Sequence, residues 1–136
     1  MNKKIHLTTN HTRALSSSMT VVEKSLIELE QLMLHHNDTC CNEVLKDVGD
    51  DTIENNIKVI REARKYICVL TQKYGTSKLK LSLQRIIDAR KTKIWEVLTD
   101  TTSKKMNGYG TFPKKYADEF DSDIKELIEI TRKINY

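Results

Sequence analysis

A single proline and four glycines in 136 residues leave this chain few places to break a helix. That scarcity disfavours a many-turned β fold and favours long helices. Cysteine is scarce too, at Cys40, Cys41 and Cys68 only. An odd count without a spaced framework argues against a disulfide scaffold and makes a reducing cytoplasm the default. Long apolar runs are missing. No stretch approaches the ~20 apolar residues that cross a bilayer, so no membrane span is expected. The opening Met1-Asn2-Lys3-Lys4 has the charge of a secretion signal, but residues 5–10 (IHLTTN) are too polar to continue one.

What is present is a mixture of 38% apolar and 31% charged residues, enough for one core and not depleted enough for disorder. The length suits a single domain spanning residues 1–136. Abundant lysine and isoleucine hint at an AT-rich bacterial or phage source.

The apolar residues recur with helical spacing. Leu15, Met19, Val22, Leu26, Leu29 and Met33 step by four and three, and Ile27 and Leu34 widen the stripe. Thr9, Asn10, Thr12 or Ser16–Ser18 could cap this helix, with serines inside it tolerable on an exposed face. It should end at His35-His36-Asn37-Asp38. A short extra helix at about 39–48 is a further option, with Thr39 as its cap and Gly49 as its left-handed stop. The next long helix should open at Asp51-Thr52-Ile53-Glu54, a capping box with Asp as the cap. Ile53, Ile57, Ile60, Ala63, Ile67, Leu70 and Tyr74 follow in register, and Gly75 ends it.

Thr76 or Ser77 would then cap a third helix carrying Leu79, Leu83, Ile86, Ile87, Ile94, Val97 and Leu98. So short a link would make the second and third helices antiparallel neighbours. A competing reading stays open. Residues 78–83 alternate with strand period and could pair with residues 66–70 as a β hairpin. Residues 99–112 read as a loop. A fourth helix could start near Pro113, with Thr111 as a cap, or near Asp121-Ser122; the favoured reading is one helix from about Pro113 to Ile134 with a bend near Ser122. The expected fold is therefore all-α: an antiparallel four-helix bundle of up-down-up-down topology.

Chemistry is harder to find in this pattern. Di-iron bundles need Glu-x-x-His pairs, and none occurs. All four histidines fall within the first 36 residues, and His11 and His35 would lie about 36 Å apart on one helix. The adjacent Cys40-Cys41, near His35, His36 and Asp38, lack the two-residue spacing of a zinc knuckle. Cys68 has Arg64 and Lys65 nearby, but it reads as a small core or boundary residue without a base. Gly108-Tyr109-Gly110 lacks the strand and third glycine of a dinucleotide fingerprint. Flanked by Lys104, Lys105, Lys114 and Lys115, it is a connector that could hold an anion. No catalytic residue, cofactor site or metal site is assigned.

One asymmetry remains. Residues 55–95 hold eleven Lys and Arg against only Glu62 and Asp88, a local excess of +9 within a net charge of +4. Lys58, Arg61 and Lys65 share a helical face. Lys78 and Arg85, and approximately Lys80 and Lys91, would share one on the next helix. Arg90 falls on the apolar stripe itself, where its stem could snorkel. Lys58, Arg61, Lys65, Lys78, Arg85 and Lys91 are therefore the candidate contacts for an anionic partner. No helix-turn-helix, aromatic RNA-binding motif or zinc module accompanies them. The expectation is a non-enzymatic regulator or adaptor that meets an acidic protein or a nucleic acid, with a homo-oligomer also open. The alternative is an immunity-type, toxin-neutralising protein of a bacterial conflict system, by analogy of size and charge alone.

Overall fold

The structure is a computed structural model that describes residues 3–36 and 38–135. It is all-α. Helices span Thr9–His35 (α1), Asp50–Lys73 (α2), Leu83–Thr99 (α3), Ser103–Met106 (α4) and Lys114–Thr131 (α5), with a 3-10 turn at Asn107–Tyr109. Among the described residues there is no strand. Residues 66–73 are helical, which removes the β hairpin option. Among the described residues no helix is long and apolar enough to cross a membrane. The chain divides into two compact units, Met1–Leu79 and Lys80–Tyr136.

In the first unit α1 and α2 pack as an antiparallel hairpin. Ile5 N–H donates to Lys73 O at the end of α2, while Glu30 meets Arg61 and Arg64 earlier along it. Thr8, one residue before the positions considered, caps α1 by accepting from His11 N–H at 3.2 Å. His36, with φ 42°, closes α1 in the left-handed conformation.

The expected helix at 39–48 does not form. Thr39 Oγ1 accepts from the Cys41 and Asn42 amides, and Asp38 Oδ1 accepts from Val44 N–H. Side chains have taken the donors that a helix would need. Gly49 correspondingly ends no helix. It precedes α2 in extended conformation, and Asp50 and Asp51 both lie in the first turn of α2. The Asp51 capping box is therefore absent, and the two carboxylates favour the positive end of the helix instead.

Thr76 also departs from expectation. Its N–H donates to Thr71 O at 2.9 Å, across Gly75 at φ +64°. That six-to-one bond closes α2 rather than opening α3. Ser82 supplies the α3 cap, its Oγ accepting from Arg85 N–H. The link is thus residues 74–82, and Leu79 lies outside any helix.

The first unit holds every buried side chain among the described residues. Ile60 and Ile67 are buried on α2, seven residues apart, and Ser16 and Glu30 are buried on α1. Ser16 does not sit on an exposed face as expected. In the expected α1 stripe Leu15, Met19, Leu26 and Met33 are half-buried, whereas Val22 and Leu29 are exposed. The seam against α2 lies one row round from the richest apolar row.

In the second unit α3 packs on α5, and α4 packs on α5. Ile87, Ile94 and Leu98 are half-buried, as are Ala117, Ile124 and Ile128 on α5. The expected loop at 99–112 is largely structured. Thr102 caps α4, and Asp121 binds both the Ser103 amide and hydroxyl at 2.7 Å. Asn107 accepts from Phe112 N–H, and the Phe112 and Phe120 rings lie 4.8 Å apart. Pro113, not Thr111, precedes α5, which runs unbroken past Ser122.

Candidate functional site

The cationic residues singled out from sequence have different surroundings. Lys58, Arg61 and Lys65 do share one face of α2, as the three- and four-residue spacing requires. Lys58 lies 3.8 Å from Glu54, with both side chains at least 70% exposed. Such a pair contributes at most about 1 kcal/mol and leaves the lysine able to exchange partners. Arg61 is more committed. Its Nε donates to Glu30 Oε1 at 3.1 Å, and Arg64 Nη1 stands 3.9 Å from the other oxygen.

Glu30 is the reason for that commitment. Its side chain is only 10% exposed, so its charge needs compensation inside the seam. Arg61 and Arg64 bracket it from the neighbouring helix. Arg64 Nε is itself buried without a hydrogen bond, so the pair is only partly satisfied. Arg61 is thus a structural residue first, with an exposed flank second.

Lys78 and Lys80 lie in the link before α3, so neither shares a helical face with Arg85 or Lys91. The reason is the late Ser82 cap described above. Arg85 falls in the first turn of α3, where a cation opposes the helix dipole. Lys91 lines a shallow groove with Thr92, Trp95, Thr131 and Arg132. Lys58, Arg61, Lys65 and Lys78 belong to the first unit; Arg85 and Lys91 belong to the second.

Beside the α2 cations runs a feature that the charge pattern did not suggest. Val59, Glu62, Ala63, Lys65, Tyr66 and Val69 line one groove. Val59, Tyr66 and Val69 are each more than half exposed. They fall off the main apolar stripe of α2 but recur at seven and three residues. A second, weaker helical row was therefore present in the sequence. Cys68, expected at the core or boundary, is exposed and free, as are Cys40 and Cys41.

Two carboxylates have shifted acidities, both outside this groove. Hydrogen bonds from the Ser103 amide and then its hydroxyl hold Asp121 below the usual carboxylate range. A hydrogen bond from Lys46, reinforced by its charge, does the same for Asp50. Neither shift prepares a proton-transfer group. Among the described residues no three His, Cys, Asp or Glu side chains are grouped to hold a metal ion. His11 and His35 fall at opposite ends of the continuous α1. No family model matches the chain, and no curated protein or solved structure matches it either.

Proposed function

We propose that the chain is a non-enzymatic binding protein, a small regulator or adaptor, which recognises an acidic, amphipathic protein surface through α2. One observation carries the reading. The exposed Val59, Tyr66 and Val69 line one groove with Lys65 and Glu62, and Lys58 shares the Lys65 face of α2. An aromatic flanked by aliphatic side chains is the usual centre of a protein contact, and charges at its rim steer and select the partner. A nucleic acid would use the lysines but has little to offer the apolar row, since phosphate contacts dominate its affinity. The reading includes a cytoplasmic location, because three exposed free cysteines suit a reducing compartment.

Affinity capture with the intact chain, with and without nuclease, tests this. Lys58→Glu/Lys65→Glu and Tyr66→Ala serve as variants. Arg61 is left in place because reversing it would disturb Glu30. The expected result is a protein partner that survives nuclease, weakens at least about tenfold with the charge reversal, and weakens further with Tyr66→Ala. Capture that disappears with nuclease contradicts the reading. So does capture indifferent to both variants and to salt.

A further inference from the structure

The three thiols of the chain are all exposed and free, but they are not equivalent. Cys68 stands alone, about 27 Å along α2 from Asp50. Cys40 and Cys41 are adjacent, in the segment that joins the end of α1 to the start of α2. Their Cα atoms are about 3.8 Å apart across one peptide bond, so each is the other's nearest thiol partner. A few bonds hold that segment in shape. Thr39 N–H donates to Asn42 O at 3.0 Å, and Thr39 Oγ1 accepts from the Cys41 and Asn42 amides. The peptide unit between the two cysteines is therefore one of the tied groups. Just beyond it, Asp38 Oδ1 accepts from Val44 N–H, and Lys46 pairs with Asp50 at the start of α2. Val44, Leu45 and Val48 line one groove with Leu29 and Leu32 of α1 and Ile53 of α2. A rotation of the Cys40–Cys41 peptide unit is thus passed on to this groove.

We propose that Cys40 and Cys41 form a reversible dithiol–disulfide site, which reacts with small-molecule disulfides of the glutathione class and reshapes the segment that follows. One cysteine thiolate attacks the small disulfide, forming a mixed disulfide and releasing one small thiol. The neighbouring thiolate attacks the protein sulfur of that mixed disulfide, closes the Cys40–Cys41 bond and expels the second small thiol. The two cysteines lose two electrons and two protons, and the two released thiols take them up. Closure makes a small ring that includes the Cys41 amide, so the torsions beside that amide change and its bond to Thr39 is lost. Disulfide-bonded residues usually hold their Cα atoms about 4.4–6.8 Å apart, a separation that adjacent residues cannot reach. The resulting strain, together with exposure, keeps the bond easy to reduce. That suits a switch and not a structural staple. The inference is independent of the Val59–Val69 groove on α2 and of its partner.

Equilibration of the full chain carrying Cys68→Ser with glutathione disulfide, followed by acid quenching and peptide mass mapping, reads the site directly. The expected Cys40–Cys41 peptide has lost two hydrogens, carries no glutathione and regains both hydrogens with dithiothreitol. The Val44 and Leu45 amide resonances should shift on oxidation and return on reduction, while those of Ile60 and Ile67 stay in place. Cys41→Ser in the same background should leave Cys40 stably glutathionylated. A Cys40–Cys41 peptide that keeps glutathione, or chains cross-linked to one another, overturns the inference. Ring closure that leaves the Val44 and Leu45 amides unmoved overturns it as well.

Discussion

The α1–α2 and α3–α5 hairpins are assembled from the same kind of amphipathic helix, yet they distribute their apolar residues differently. The first joins helices of 27 and 24 residues and buries Ile60 and Ile67 between them. The second joins helices of 17 and 18 residues and buries nothing. Length alone does not explain this. In the first hairpin two polar residues of α1, Ser16 and the bracketed Glu30, are buried as well as the two isoleucines of α2. In the second the α3–α5 seam is only half-buried, and the polar tie from Ser103 to Asp121 holds α4, not α3, to α5. One hairpin has a small core of its own; the other does not.

The largest expected effect follows from that contrast. Ile67→Ala removes one of the two buried apolar side chains among the described residues and should cost about 2–3 kcal/mol. The equivalent truncation of exposed Ile86 should cost less than about 0.5 kcal/mol. Denaturant titration followed by circular dichroism measures both. Equal losses would erase the distinction between the hairpins.

A smaller effect concerns pH. The Asp121 carboxyl is held below its unfolded value of about 3.9. Its contribution is therefore fully present above that value and is lost as pH falls through the lower folded one. The Ser103 amide resonance should move with that titration, while α1 and α2 remain unaffected. Asp121→Asn should abolish the movement. A Ser103 signal that titrates unchanged in the variant would show that the tie does not hold α4.

Much of this architecture was legible in the residues. The periods of the four long helices, the stop at Gly75 and an α1 exit at the start of the His35–Asp38 stretch follow from spacing and backbone preference. Three things were not. Asp38 and Thr39 could serve either a cap or a turn, and only their bonds to residues 41, 42 and 44 decide it. Thr76 and Ser82 are both plausible caps, and the closure of α2 across Gly75 consumes the first. Periodicity also identifies the apolar side of a helix without saying which of two adjacent rows its neighbour touches. That is why Val22, Leu29, Ile86 and Val97 are exposed while Ser16 and Glu30 are buried. The candidate site was half legible for the same reason. Charge pattern finds Lys58, Arg61 and Lys65, but not the apolar row beside them, nor the demand that Glu30 makes on Arg61.

Residue-resolved hydrogen exchange tests the contrast between the hairpins most directly. Amides of α1 and α2 should be the more strongly protected, because Ile60 and Ile67 are covered between them. Amides of α3 and α5 should exchange faster, because no side chain of those helices is buried. Protection across α3 and α5 equal to that of α1 and α2 would contradict the account.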